Sequence, residues 1–246
     1  MSVFHPLHRQ LNSYYITEGI PFVPFRTIDA DLVEVVFNFA YDMSFGNCGE
    51  HRDHRSGGQH HRRNGEIFAN AFQGKLAECA VYLLFKDKFR ISEPDFATYE
   101  LGEWDKADFY LEDYKISVKS TKSIGNLLLL ETKDWDANGV YLPNDETYDF
   151  TFLVRMNPFC ADIMKKNKMY YSDSVPRDIL RRIICNEDWK FDIPGFITLS
   201  ELQTIIRDGF ILPQNSMLNG GTKMDAENFY VQAGDMHNIN DFEEYV

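Results

Sequence analysis

Long apolar runs are missing from this sequence. None approaches the roughly 20 residues that a bilayer span requires, and the opening MSVFHPLHRQ lacks the apolar stretch of a secretion signal. A cytoplasmic protein without membrane partners is therefore expected. Cysteine is scarce as well. Cys48, Cys79, Cys160 and Cys185 are far apart and form no Cys-x-x-Cys pair, which suits reduced thiols rather than a disulfide framework. Cys79 and Cys185 fall in helical apolar patterns, as packing residues do. Positive charge is the third shortage: 25 Lys and Arg face 38 Asp and Glu, for a formal charge of -13. That balance argues against a general nucleic-acid coat or a membrane-surface protein, both of which rely on widespread positive charge. A local basic patch remains compatible with it. There is no internal repeat, long linker or low-complexity tract, so residues 1–246 read as one unit.

What is present is enough for a substantial core: 246 residues, 44% hydrophobic and 15% aromatic. A helix is predicted over DADLVEVVFNFAYDM, with Asp29 or Asp31 as its cap and SFGNCG as its stop. The polar, glycine-containing HRDHRSGGQHHRRNG reads as a loop. EIFANAFQGKLAECAVYLLF, residues 66–85, is apolar on nearly every face and reads as a central, mostly buried helix. DKADFYLEDYKISVKSTK, 105–122, reads as a β-hairpin, and YDFTFLVRM, 148–156, as a further strand. SVPRDILRRIIC offers Ser174 as a cap with Pro176 in the first turn. TLSELQTIIRDG carries Thr198 and Glu201 at capping-box spacing and ends at Gly209. A helix, then strands, then helices predicts a mixed α/β fold, a mixed central sheet flanked by helices.

The hairpin places charge inside strand-like runs. With Glu112 and Asp113 as the turn, Leu111 faces Tyr114, Asp108 faces Ser117 and Lys106 faces Lys119. Alternation then puts Ala107, Phe109, Leu111, Ile116 and Val118 on one face and Asp108, Ser117 and Lys119 on the other. Opposed residues have Cβ atoms about 4.5 to 5.5 Å apart, so a carboxylate, a hydroxyl and an ammonium can share one cluster. The plain alternative is a hairpin whose polar face meets water. On the central helix, Glu78 interrupts the stripe Ile67, Ala71, Gly74, Val81 and Phe85 at the 3.6-residue period. A lone carboxylate there is costly to ionise unless a cation or donor meets it. A solvent-facing acid is the simpler alternative.

The order GKLAE, then KADFYL, then ISVKS resembles the PD-(D/E)XK nuclease superfamily, and particularly type II restriction endonucleases. In that family a helix supplies an acid, one strand an aspartate, and the next strand an acid-x-lysine. The resemblance covers residues 66–122. It implies a restriction-endonuclease-like core over about 66–160, with a C-terminal elaboration over about 170–246. Carried over residue by residue, it makes Glu78 the helix acid, Asp108 the strand aspartate and Lys119 the lysine. Mg²⁺ would be held by Asp108, Glu78 and the Val118 carbonyl. Two positions depart from the pattern. Ala107 stands where a proline is usual, a structurally permissive place. Ser117 stands where Glu or Asp is usual, and a hydroxyl is a poor ligand for a hard divalent cation, so Glu78 is expected to supply the missing charge. The implied activity is Mg²⁺-dependent, sequence-specific hydrolysis of double-stranded DNA leaving 5′-phosphates, by a homodimer if the site is palindromic. A repair or other phage-defence nuclease, and a nuclease-derived DNA-binding module without activity, are the alternatives.

DNA would then have to be held by an acidic chain. Residues 51–65 carry Arg52, Arg55, Arg62 and Arg63 against Asp53, a net of +3 that leaves -16 for the remainder. This loop, with Lys122, is the expected DNA-binding region; a solvated polar loop is the alternative. Lys165, Lys166, Arg181 and Arg182 are further candidates for backbone contact. Cys48, His51 and His54, with His60 or His61 as fourth ligand, also have zinc-like spacing, although structural zinc sites usually show paired cysteines or a clearer His closure. The stretch SMLNGGTKMDAENFYVQAGDMHNINDFEEYV reads either as a recognition loop around NGGTK or as closure of the core.

Overall fold

The computed structural model describes residues 4–46, 62–96 and 109–246. The strands are β1 (His8–Gln10), β2 (Ser13–Tyr15), β3 (Arg26–Thr27), β4 (Phe109–Leu111), β5 (Tyr114–Lys122), β6 (Leu127–Glu131), β7 (Phe150–Asn157), β8 (Lys190–Thr198), β9 (Ile211–Leu212), β10 (Met217–Leu218), β11 (Thr222–Lys223) and β12 (Asn228–Gln232). The α-helices are α1 (Ala30–Ser44), α2 (Asn64–Phe85), α3 (Cys160–Lys166), α4 (Arg177–Ile184) and α5 (Leu199–Asp208). The protein is a mixed α/β fold. Among the described residues no helix is long and apolar enough to cross a membrane.

The principal sheet runs β3-β8-β7-β5-β4, with β5 and β7 parallel and the remaining pairs antiparallel. Its two faces are built by strand alternation. Ile116, Phe150, Phe152 and Val154 face one way, into a cluster with Phe37 of α1 and Phe68, Phe72 and Leu76 of α2. Leu153 and Ile197 face the other way. There they join Leu202 and Ile205 of α5 and Leu128, Leu130 and Val231 of the second sheet, β6-β12-β9. A third, small sheet, β1-β2-β10-β11, packs on the second through Tyr14, Leu127, Leu212 and Tyr230.

Local chemistry explains most boundaries. α2 is buried along much of its length because nearly all its sides are apolar, as its sequence predicts. α5 begins at Thr198, whose hydroxyl accepts from Glu201 N while the Glu201 carboxylate accepts from Thr198 N at 2.9 Å. It ends at Gly209 with φ +71°, a left-handed conformation that glycine adopts at little cost. α4 corrects its expected start: Pro176, not Ser174, occupies the N-cap position. Ser174 N instead closes a local turn onto the Ser172 hydroxyl at 3.2 Å.

β8 is a central strand that the sequence hides, because Pro194 and Gly195 interrupt it. The proline is absorbed where the register with β7 shifts between Leu153 and Arg155, so that Ile193 and Pro194 together oppose Val154. At Gly195 a Cβ would lie 2.4 Å from the His237 carbonyl oxygen, which only glycine avoids. Next to the bulge, the buried Arg155 guanidinium donates to both Asp192 carboxylate oxygens at 2.8 and 2.6 Å, and to the Ile20 carbonyl, the Pro21 carbonyl and Asn126 Oδ1. That pairing ties the N-terminal segment across the sheet.

Candidate functional site

The β4–β5 hairpin has the register its sequence predicts. Phe109 pairs with Ile116, Tyr110 with Lys115 and Leu111 with Tyr114. Glu112 in the turn adopts φ +51°, unfavourable for a side-chain-bearing residue. The turn is held from outside by Arg90. Its N–H donates to the Glu112 carboxylate at 2.7 Å, its carbonyl accepts from Glu112 N at 2.7 Å, and its guanidinium pairs with Asp113 at 2.7 Å.

Along β5, Lys115, Ser117 and Lys119 share the face turned away from α2, while Ile116 and Val118 pack toward it. Ser117 is 1% exposed, and its hydroxyl finds no hydrogen-bond partner among the described residues. Lys119 lies partly buried, with Nζ 5.5 Å from the centre of the Tyr141 ring, and it makes no ion pair among the described residues. Tyr141 is itself fixed in an aromatic group with Trp135 at 5.0 Å and Tyr148 at 6.1 Å between ring centres. Lys115 pairs with Glu146, whose hydrogen bond and charge raise the lysine pKa. The Lys115 N–H donates to Asp149 at 2.7 Å.

Glu78 projects from α2, which packs on the Ile116 and Val118 face of the sheet. Its carboxylate accepts from Lys75 Nζ at 2.5 Å, and both side chains are largely shielded, at 15% and 13% exposure. Lys75 lies 5.2 Å from the Phe39 ring and 6.0 Å from the Phe96 ring. Burial, and after it the Glu78 charge, pushes the neighbouring Cys79 thiol up to about 12, so that this cysteine stays a neutral packing group. Cys160 is buried and likewise raised, and no disulfide joins the cysteines of the described residues.

The structure thus brings Ser117 and Lys119 onto one face of β5. It gives Glu78 a lysine partner one turn away. Asp108, with Lys106 and Ala107, lies outside the described residues, as do Cys48, His51, Arg52, His54, Arg55, His60 and His61. Of the remaining basic candidates, Arg63 pairs with Asp173, and Arg181 makes a two-pronged pair with Glu34 at 2.5 and 2.7 Å. Arg182 Nε donates to the Asp178 carbonyl, and Lys165 Nζ sits 4.5 Å from the Tyr170 ring. Lys122 is exposed at the end of β5, and Arg62 lies just before α2.

Carboxylate and carbonyl oxygens on the hairpin suit a hard divalent cation, which prefers carboxylates, carbonyls and waters to nitrogen or sulfur. The Ser117 hydroxyl is neutral and a poor ligand for such an ion. On this face the charge would come from Asp108, because Glu78 stands on α2 on the other side of the sheet, paired with Lys75.

Three features escape the sequence. Tyr141 under Lys119 comes from a loop 22 residues further on, and Glu146 and Asp149 beside Lys115 come from the same loop. No pattern of spacing marks them. His5, Glu18 and Asp235 form the third. One ligand atom from each lies within 4.8 Å of the others, and His5 Nδ1 is 2.6 Å from Asp235 Oδ1. Residues 5 and 235 meet only because the N-terminal segment folds onto β12.

No family model matches this chain, and neither a curated protein nor a solved structure matches it.

Proposed function

We propose that the chain is a Mg²⁺-dependent endonuclease of the PD-(D/E)XK type that hydrolyses double-stranded DNA at a specific site. One observation supports this most. Among the described residues, Lys119 lies partly buried with an aromatic partner and no acid, two residues from a buried serine hydroxyl that has no hydrogen-bond partner among those residues either. A lysine not neutralised by an ion pair can meet a phosphate. Unpaired buried polar atoms are rare and usually have a ligand, an ion or water to explain them.

In this reading Asp108 and the Val118 carbonyl would hold Mg²⁺, which would supply Lewis acidity and a water of lowered pKa; Glu78 stands on α2, across the sheet from Lys119 and paired with Lys75, so nothing in the structure supports its expected place on the metal. Lys119 binds a non-bridging oxygen of the scissile phosphate and offsets charge that builds there as the phosphorus becomes five-coordinate. The Tyr141 ring limits where the ammonium can go. The Ser117 hydroxyl donates to, or accepts from, the attacking water without changing the charge of the site. Attack in line leaves a 5′-phosphate and a 3′-hydroxyl. Arg52, Arg55, Arg62, Arg63 and Lys122 would contact the DNA backbone, and a two-fold homodimer would match a palindromic site.

Ser117 favours one second reading, a nuclease-derived DNA-binding module in which loss of the acid has ended catalysis. Incubation with plasmid DNA and Mg²⁺, followed by sequencing of the ends, separates the two. Discrete fragments with 5′-phosphates support the restriction-type enzyme. Smears or nicks point to a repair or other phage-defence nuclease on the same fold, and intact plasmid in a protein that binds it supports the module.

A further inference from the structure

The small sheet β1-β2-β10-β11 is built from two segments that carry no acid. Neither residues 4–17 nor residues 209–224 contain an Asp or Glu, in a chain that has 38. The two segments are far apart in sequence and meet by parallel pairing of β2 with β10, Ser13 opposite Met217 and Tyr14 opposite Leu218. The sheet therefore concentrates acid-free sequence on one surface.

Register decides which side chains that surface presents. Gln10 pairs with Ser13, Ser13 with Met217, and Met217 with Lys223, so these four side chains form one row across all four strands. His8 and Tyr15 pair on the same face, with ring centres 6.3 Å apart. The opposite face carries the buried Tyr14 and the half-buried Leu218, packed on the second sheet. The outward row is thus an amide, a hydroxyl, a thioether and an ammonium, bordered by an imidazole and a phenol.

These groups are left available. Arg63, Arg90, Arg155, Arg177 and Arg181 each pair with a carboxylate. Arg9 instead caps the Leu11 carbonyl and lies 5.6 Å from the Tyr14 ring, while Lys223 makes no ion pair among the described residues. At the tip of the β1–β2 ribbon Leu11 is 94% exposed with φ +54°, a costly place for a branched apolar residue.

We infer that the outward face of this sheet is a DNA-reading surface, with the β1–β2 ribbon entering the major groove. The inference rests on DNA being the substrate. Two-stranded ribbons fit the major groove, and a glutamine reads adenine there through paired hydrogen bonds. Absence of carboxylates removes the repulsion that most of this acidic chain would meet at a phosphate backbone. Arg9 pairs with Tyr14 on the opposite face, so with Lys223 as the fixed cation of the outward row the surface contributes more to sequence choice than to affinity. It lies on β6, whose first residue, Leu127, follows Lys122 by five residues and packs in the same cluster as Tyr14. The reading surface is therefore joined directly to the strand that carries Lys119.

The test uses the full chain with Ca²⁺ in place of Mg²⁺, to allow binding without cutting, and a short duplex library with a randomised centre. Gln10→Ala should relax base preference at one position of each half-site, leaving the rest unchanged. Lys223→Ala should weaken binding to all sequences alike and lower the slope of log affinity against log salt by about 0.9, while Arg9→Ala, on the opposite face, should change neither. Unchanged preference in Gln10→Ala and unchanged slope in Lys223→Ala overturn the inference, even where the wild type cuts DNA. Altered binding in a wild type that never cuts upholds the surface while removing the nuclease reading. A wild type that binds no duplex DNA overturns both, and preference for an RNA duplex overturns the choice of partner.

Discussion

Lys119 Nζ sits 5.5 Å from the centre of the Tyr141 ring, so among the described residues this cation on β5 is positioned by an aromatic face and not by a carboxylate. Such contacts contribute about 0.5 to 2 kcal/mol depending on desolvation. Tyr141→Leu should therefore slow DNA cleavage by about two- to thirtyfold while leaving DNA affinity nearly unchanged. Tyr141→Phe, which keeps the ring, should cut at close to the wild-type rate. Single-turnover cleavage alongside a binding titration checks both.

Ser117 tests whether the buried hydroxyl serves stability or chemistry. It is enclosed without a hydrogen-bond partner among the described residues, and an unsatisfied buried polar group costs about 1 to 3 kcal/mol. Ser117→Ala should leave the unfolding free energy unchanged or raise it by up to about 1 kcal/mol in a urea titration. A loss of more than about 1 kcal/mol would mean that the hydroxyl has a structural partner after all.

Arg155 and Asp192 form the most enclosed ion pair described, at 1% and 5% side-chain exposure. Removing one member leaves the other charged and buried, which typically costs about 3 to 5 kcal/mol. Arg155→Met should destabilise by that amount in chemical denaturation and loosen the segment around Ile20 and Pro21. Adding Asp192→Leu should recover part of the loss, because the orphaned carboxylate is removed with it.

His5 gives the fold a pH dependence of known sign. Its hydrogen bond to Asp235, then the Asp235 charge and more weakly that of Glu18, raise its pKa above the usual 6.5 against a small opposing effect of burial. A raised folded-state value means that its contribution is complete below about pH 6.5 and is lost as pH rises through the folded value. Docking of the N-terminal segment should weaken with that rise, and His5→Asn should flatten the dependence. Hydrogen exchange at Leu7, whose N–H donates to the Tyr230 hydroxyl at 3.0 Å, reports it.

Local signals made the elements legible. The Asp29 end of α1, the all-round apolar α2, the Thr198 and Glu201 box and Gly209 are each decided by neighbours in sequence, and the structure has them where sequence places them. The hairpin register followed from alternation on both sides of one turn. β8 was illegible because Pro194 argues against a strand, and only the partner strand shows that a bulge accommodates it. Ser174 misled for a related reason: a good capping residue lost the position to Pro176 because its own backbone is used by Ser172.

The site divides in the same way. That Ser117 and Lys119 share a face is a matter of strand period and could be read directly. That Lys119 meets Tyr141, or that Lys115 meets Glu146, depends on how a loop beyond β6 returns over the sheet, which no spacing encodes. The small sheet was invisible for a stronger reason. Its strands are two or three residues long, and half of it comes from each end of the chain.

The most direct measurement compares wild type and Lys119→Ala on one sequenced plasmid with Mg²⁺, at protein concentrations where both are shown to bind the DNA. The expected result is discrete fragments with 5′-phosphates from the wild type, and cleavage slower by about a hundredfold or more from the variant. Equal rates from the two proteins, or an intact plasmid with the wild type bound to it, would contradict a phosphodiester-cleaving centre on β5.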